Sequence, residues 1–532
     1  MNEFDYVIVG AGSSGCVLAN ELSRDPACRV LLLESGPPDT SPMVHMPRGI
    51  GKLLDPTNPH VWSYKASMGP GRGQEEWLKG RTLGGSSSVN GMVYMRGLPS
   101  EYDDWAAAGC TGWGWSDIGR CYKAMEDHEL GEAEWRGKGG PLKISMHPRD
   151  NPLYEAILTA GEQAGVPRVD DVNASPQGGM GYQPRTIYDG RRWSAAKAFL
   201  SPVRARSNLV VRTGVDAQRV VFEGTRAVGV EVLEGGVRSV VKALREVVLC
   251  AGALHTPKLL QLSGVGPAAL LQRLGIPLVA DSAGVGQHLL EHRCILMHVR
   301  IREGSMNQQY QGWRLAKNLV QYLGAHSGPM TFAAHEVCGL VKTRPELARP
   351  DAELGIGLYS VAVKNDKVVI DSQPGMTWVG YVTQPDSEGS VQITSRDPQA
   401  ALDIDVNYLH TAHDQRHAAD LIRTMRRMLS QPALKPYVVE EVAPGPAYQT
   451  DAELVDAYLK FGNTAYHVAG TCRMGSDAAS VVDPQLRVRG VQGLRVIDTS
   501  VMPTLISGNT NGPAMAMGMR AAELIRGSQV TH

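Results

Sequence analysis

Four things are scarce or missing in this sequence, and each absence narrows what it encodes. Charge of one sign is missing: 53 Lys and Arg against 54 Asp and Glu give a formal net charge of -1. That leaves no bulk electrostatic case for nucleic acid or an anionic membrane. Paired cysteines are missing: the eight cysteines, at positions 16, 28, 110, 121, 250, 294, 338 and 472, form no CxxC. They read as reduced thiols of an intracellular protein rather than as a disulfide framework. No uninterrupted apolar run reaches the roughly 18 residues of a membrane span. The start, MNEFDYVIVGAG, puts no basic segment before an apolar one, so no secretory leader is read there. The expectation is a cytoplasmic protein with no nucleic-acid partner. Peripheral membrane contact stays open, as does the choice between monomer and homodimer.

What is plentiful is glycine, at 59 of 532 residues. Without a collagen-like period, this points to tight turns and close approaches of backbone to a ligand. The length is too great for one simple core, so two domains or one composite domain are expected. Residues 4–36 read as strand, turn, helix and strand: FDYVIV, GAGSSG, CVLANELS and CRVLLLE. The middle has a different texture. ELGIGLYSVAV, TWVGYVTQ and SVQITS read as strands, the last two antiparallel because only a turn such as PDSEG separates them. His413 to Gln431 places Ala418, Leu421, Ile422, Met425, Met428 and Leu429 on one helical face, with Pro432 as its stop. Thr450 and Glu453 form a capping-box pattern, and Gly462 reads as the C-cap of that helix. The two textures interleave without repeats or low-complexity linkers, so the domains are expected to be discontinuous.

Three segments carry nucleotide-type chemistry. Gly10, Gly12 and Gly15, with Ser13 and Ser14 between them, form G-x-G-x-x-G between a strand and a helix. The glycines allow the tight turn, the approach of a pyrophosphate and close helix packing, and the helix N-terminus offers free N–H groups. Glu34 ends the second strand, where a carboxylate accepts from ribose hydroxyls. A glycine-rich turn that binds nothing is the bland alternative, disfavoured because strand, helix and acid are all present. The motif does not separate NAD from FAD. The second segment, GRTLGGSSSVNGMVYMRG from Gly80 to Gly97, offers backbone and hydroxyl groups. The third, VVLCAGALHTPKLLQLSGVG from Val247 to Gly266, runs a strand into small residues before Thr256 and Pro257 open an apolar helix. A fourth stretch, AYHVAGTCRMG from Ala465 to Gly475, sets His467 five residues before Cys472. Taken alone it fits a metal site, a cysteine–histidine nucleophile or a packed core pair. A metal site is disfavoured by having only two local ligands, so no metal is expected.

These segments, with VIDTSVMPTLISGNTNGPAMAMG near the end, resemble the glucose–methanol–choline (GMC) oxidoreductases, in a choline-dehydrogenase-like branch. The resemblance runs from residue 4 to about 526. It implies an α/β (α+β overall) fold: a Rossmann-type FAD-binding domain with a substrate domain built on a largely antiparallel sheet backed by helices. The expected division is 1–145, 195–300 and 462–532 for FAD, and 146–194 and 301–461 for substrate. Gly10, Gly12, Ser13, Ser14, Gly15 and Glu34 would hold the ADP part of FAD. Gly85, Ser87, Asn90 and Gly91 would lie beside the flavin, and Val215, Ala251, Asp498 and Asn511 would complete the cofactor set. Val89 stands where covalent relatives carry the linking histidine, so the FAD is expected to be non-covalent. His467 would be the catalytic base and Asn511 its oxygen-positioning partner, for oxidation of a primary alcohol to the aldehyde with hydride passing to flavin N5. The electron acceptor would be dioxygen or a quinone or other carrier. Glu336 and Tyr466 are candidates for the substrate pocket. With aromatics at 6% and five Phe, a choline-type aromatic cage is not favoured. Cys472 is read as packing and Arg473 as a structural ion pair. The rivals are a hydroxynitrile lyase of the same fold without net redox, an NAD-dependent dehydrogenase, and a flavin-binding protein without catalysis.

Overall fold

The computed structural model describes residues 3–364 and 367–527. Two seven-stranded sheets organise the chain. In the first, Glu3–Val9 pairs in parallel with Val30–Glu34 on one side and with the long Val237–Leu249 strand on the other. Leu209–Thr213 and Leu494–Val496 extend the parallel part. Valine and leucine fill these strands because both faces are covered; Val30, Leu31 and Leu32 are wholly buried. The first half of Val237–Leu249 departs from this pattern and joins an antiparallel meander with Arg226–Glu234 and Val215–Glu223. Ser13–Leu22 follows the first strand and packs against the C-terminal helix Asn511–Gly527.

The second sheet is antiparallel throughout. Its order is Val438–Ala443, Arg293–Ile301, Gly375–Val382, Ala352–Gly357, Val337–Val341 and Gly179–Tyr182, with Gly462–Thr464 added to Arg293–Ile301. Side chains alternate between its faces. Ile295, Met297, Leu354, Ile356 and Trp378 join one core with Leu421, Ile422, Met425 and Met428 of the helix Ala412–Leu429. The intervening residues, Cys294, Leu296, His298, Glu353, Thr377, Val379 and Tyr381, line a cavity. The period of two therefore separates a packing face from a chemical face.

Local expectations fared unevenly. The Thr450–Glu453 capping box is present and opens the helix Asp451–Lys460. Gly462 is not its C-cap: the helix ends on Phe461, and Gly462 begins a strand. It is glycine because a Cβ there would lie 2.3 Å from the Cys294 carbonyl oxygen. TWVGYVTQ and SVQITS do not pair. Gly375–Val382 is central in the second sheet, whereas Ser390–Ile393 pairs with Leu402–Asp405 in a four-stranded sheet completed by Val61–Ser67 and Gln74–Gly80. Absence of a crossover helix constrains direction, not partnership. The helix expected to open at Thr256 begins at Gly252 and holds Pro257 inside it. Asp498 Oδ2 anchors that earlier start, accepting from the Gly252 N–H (2.8 Å) and the Thr256 hydroxyl (2.6 Å). Among the described residues, no helix is long and apolar enough to cross a membrane.

Candidate active site

A cavity of about 930 Å³ runs from the carboxyl ends of the parallel strands to the chemical face of the second sheet. Ligands bind at strand carboxyl ends in open α/β sheets because the helix N-termini and the free backbone amides converge there. Gly10, Gly12, Ser13, Ser14 and Glu34 form part of its wall. Gly10 has φ 105°, and a Cβ on it would meet the Cys250 carbonyl oxygen at 2.4 Å. Around Gly12 the same construction meets only one atom, at 4.0 Å. Gly12 thus leaves backbone open to the cavity at the start of the Ser13–Leu22 helix, which has no side-chain cap. Gly15 is not on the wall; a Cβ there would stand 2.0 Å from the Gly10 carbonyl oxygen, so it serves helix–strand packing. Glu34 accepts from the Ala11 and Gly36 N–H groups at 3.1 and 2.9 Å. Burial pushes its pKa up to about 7, against the pull of those two donors.

Further along, Gly85, Val89, Asn90, Gly91, Val215, Ala251, Asp498 and Asn511 also reach the wall. Asn90 Oδ1 accepts from the Met92 N–H (3.0 Å) and from Arg192 Nη1 (2.8 Å), leaving Nδ2 uncommitted. Among the described residues Arg192 has no carboxylate partner; it donates to the carbonyls of Val44 and Asn90, and burial lowers its pKa to about 9. Ser87 is not on the wall. Its hydroxyl donates to the Gly84 carbonyl (2.5 Å) and accepts from the Ala195 N–H (2.9 Å), so it braces the turn.

At the far end His467 is buried in a hydrogen-bonded chain that fixes its tautomer. His292 Nε2 lies 2.7 Å from the Thr383 carbonyl oxygen, which can only accept. His292 therefore carries its proton on Nε2. Burial lowers its pKa to about 4, so the ring is neutral and Nδ1 is an acceptor. His292 Nδ1 faces His467 Nδ1 at 2.9 Å, so His467 must donate from Nδ1. The remaining lone pair of His467 sits on Nε2, to which Asn509 Nδ2 donates at 2.9 Å. Burial first, then His292 and Lys79, hold the His467 pKa well below its ordinary value. The backbone is pinned as well: Glu291 Oε1 accepts from the His467 N–H (2.7 Å), and Lys79 Nζ donates to the Tyr466 carbonyl (2.8 Å). Tyr466 lines the cavity with φ 64°. The Tyr381 ring stacks on His292 with centroids 4.6 Å apart, and its hydroxyl donates to Glu353 Oε2 at 2.6 Å. Burial raises the Glu353 pKa to about 8, which favours the protonated carboxyl at neutral pH.

Two expectations differ from the geometry. The asparagine against His467 is Asn509. Asn511 heads the last helix, and its Oδ1 accepts from Ser13 Oγ at 2.7 Å. Gly508, at φ 130°, turns the chain immediately before Asn509. Glu336 is not a pocket residue: it pairs with Arg48 at 2.7 Å and accepts from the Leu358 N–H. The adjacent His335 faces the cavity instead, its ring filling the space over Gly355. Cys472 does not fit a nucleophile, because burial pushes its thiol pKa well up. Arg473 pairs with Asp477 at 2.9 Å. Among the described residues, no group of three or more His, Cys, Asp or Glu stands close enough to hold a metal. Sequence reasoning missed His292, Tyr381 and Glu353. Only their placement on one face of the second sheet and its flanking segment marks them.

Residues 4–294 and residues 385–518 each match a family model described as GMC oxidoreductase. The chain belongs to the GMC oxidoreductase family. Human mitochondrial choline dehydrogenase is 38% identical over 99% of this chain and 90% of its own length. An oxygen-dependent choline dehydrogenase of Brucella canis is 37% identical over 99% of this chain and 96% of its own. Among solved structures, pyridoxine 4-oxidase from Mesorbium loti superposes with a TM-score of 0.89 at 31% identity, covering 98% of this chain and 99% of that one. Formate oxidase of Aspergillus oryzae RIB40 gives 0.92 at 26% identity, covering 100% of this chain and 99% of that one. As a GMC oxidoreductase, the protein binds FAD and oxidises CH–OH groups of small-molecule alcohols, passing the electrons to an acceptor. The cavity suits that cofactor: it combines a backbone cradle at Gly12, a capless helix N-terminus and an acidic residue at the strand end.

Proposed function

We propose that this GMC oxidoreductase oxidises a primary alcohol to the aldehyde with His467 as base and Asn509 as the group that positions the substrate oxygen. The observation that carries this reading is the chain from the Thr383 carbonyl through His292 to His467, which leaves a lone pair on Nε2 beside an amide donor. An alcohol hydroxyl entering between them gives its proton to His467 Nε2 and accepts from Asn509 Nδ2. A carbinol carbon releases hydride readily only as its hydroxyl loses the proton, so a base at this point lowers the barrier. The positioned amide donor stabilises the negative charge that grows on the oxygen. Bound FAD supplies the hydride acceptor. The imidazolium that results keeps its Nδ1 proton and still donates it to His292 Nδ1. Low pKa values at His467 and His292 keep both rings neutral before reaction, so the base is ready at neutral pH.

Two finer points belong to the same proposal. Val89, a buried valine on the cavity wall, has no atom able to bond to a flavin, so the FAD is dissociable. The substrate is a polar alcohol, because Glu353, Tyr381, His298, Thr377 and His335 line the cavity and keep donor and acceptor capacity beyond the Tyr381–Glu353 and His298–Thr377 hydrogen bonds, which an aliphatic chain would not use. Anaerobic mixing of the holoenzyme with a panel of alcohols tests the reading. A substrate bleaches the flavin, and His467→Ala slows that bleaching by roughly 10²–10⁴-fold. A lyase without net redox would leave the flavin oxidised. Unchanged bleaching in His467→Ala would remove the base assignment.

A further inference from the structure

The helix Gly312–Ala325 is apolar on both sides, yet only one side is covered. Its inner residues Leu315, Leu319 and Tyr322 pack with Met43, Met46 and Met330. Its outer face presents Trp313, Val320 and Leu323, which are 71%, 71% and 73% exposed. Spacings of seven and three residues put the three side chains on one stripe. Leaving large apolar groups in water on one face marks a surface that meets something.

A second exposed apolar feature lies beside it. The hairpin of Val361–Lys364 and Lys367–Ile370 carries Val368 at 71% and Val369 at 39% exposure. Gln311, at the start of the helix, donates from Nε2 to the carbonyl of Asp371, at the end of the hairpin (2.8 Å). Tyr359 and Val361, at the same open end of the hairpin as Asp371, belong to the cavity wall. The apolar surface therefore borders the catalytic cavity.

Charge selects the occupant. From residue 304 to residue 335 the sequence contains Arg314 and Lys317 and no acidic residue. The Arg314 guanidinium lies 5.7 Å from the Trp313 ring centroid. Glu336, the next acid, is buried against Arg48. On the neighbouring turn Asp189 is followed two residues later by Arg191, which reaches His326 at 2.8 Å. A second copy docked through this stripe would bring Arg314 and Lys317 against their own counterparts, with no acid on the helix to pair them. Lipid phosphates would pair them instead, while tryptophan and leucine enter the acyl boundary as in interfacial helices. We infer that the Gly312–Ala325 helix and the adjacent hairpin form a peripheral docking surface for an anionic lipid bilayer, which sets the alcohol cavity beside the membrane.

The test uses the full-length holoenzyme with phosphatidylcholine vesicles containing one quarter phosphatidylglycerol. The wild type sediments with these vesicles, and the bound fraction falls as salt rises. A triple variant, Trp313→Ser, Val320→Ser and Leu323→Ser, loses more than about tenfold in partitioning, since each lost apolar contact costs of order a kcal/mol. Arg314→Gln with Lys317→Gln weakens binding and flattens the salt dependence. Flavin content and alcohol turnover with a water-soluble acceptor stay at wild-type levels in both variants, which separates docking from catalysis. The inference is overturned if the wild type stays in the supernatant, or if the triple variant partitions equally well. It is also overturned if light scattering finds a wild-type dimer that the triple variant converts to monomer.

Discussion

Replacing His292 by leucine probes the histidine chain without touching the proposed base, His467. In the wild type, His467 donates from Nδ1 to His292 Nδ1 across 2.9 Å. Leucine removes the acceptor and leaves a buried N–H unpaired, which costs about 1–3 kcal/mol. The ring escapes that cost by moving its proton to Nε2, the atom that receives the substrate proton in the proposed reaction. If the productive tautomer is disfavoured by that amount, flavin reduction slows by about 5- to 150-fold. The assay is anaerobic stopped-flow bleaching at saturating alcohol, with flavin content and melting temperature as checks on folding. His292→Asn restores an acceptor near the Nδ1 position and recovers most of the rate. The pH profile adds a sign. Since the wild-type His467 pKa is held well below about 6.5, the ordinary histidine value, activity persists as pH falls through that value and is lost only well below it. Reduction within threefold of wild type in a folded, flavin-loaded His292→Leu protein would refute the tautomer argument, as would an asparagine variant no better than leucine.

Asn509→Ala should cost about 10²–10³-fold in kcat, the usual effect of removing one oxyanion donor, whereas Asn511→Ala should act first on flavin affinity; the reverse pattern in turnover and flavin titrations would return the partner role to Asn511. Glu353→Gln tests the buried carboxyl. Its pKa of about 8 in the fold lies above the unfolded value near 4.3, so the wild type loses stability as pH rises between the two. The variant should match the wild type in melting temperature at pH 5 and exceed it at pH 9, and a constant difference across that range would count against a raised pKa. Gly85→Ala places a Cβ 2.7 Å from Gly12 Cα at a residue with φ 52°, so purified protein should carry little flavin; full flavin occupancy would contradict the close packing of the two loops. Acid or heat denaturation should release all the FAD through an ultrafilter, and colour retained with the precipitated chain would refute a dissociable cofactor.

Local pattern was a good guide wherever one stretch of chain meets its ligand through its own backbone. Gly10, Gly12 and Glu34 are readable because one continuous strand, turn, helix and strand unit brings them together. The capping box at Thr450 and the buried face of Ala412–Leu429 are local for the same reason. Pairing was less legible: TWVGYVTQ and SVQITS look like neighbours, yet they belong to different sheets. Glu336 and His335 show how a single step along an extended chain exchanges a cavity position for a buried ion pair.

By itself, the sequence determined the nucleotide-binding unit, the alternating strands and the histidine loop, because these depend on short-range sterics and on hydrophobic period. The tertiary structure alone decided which asparagine meets His467, since Gly508 turns the chain and the helix takes Asn511 toward Ser13. It alone brought His292 within reach of His467, 175 residues away in the chain. In the proposed reaction, that placement lets a packed imidazole serve as base: the proton on one nitrogen is held by a partner that no local pattern could supply.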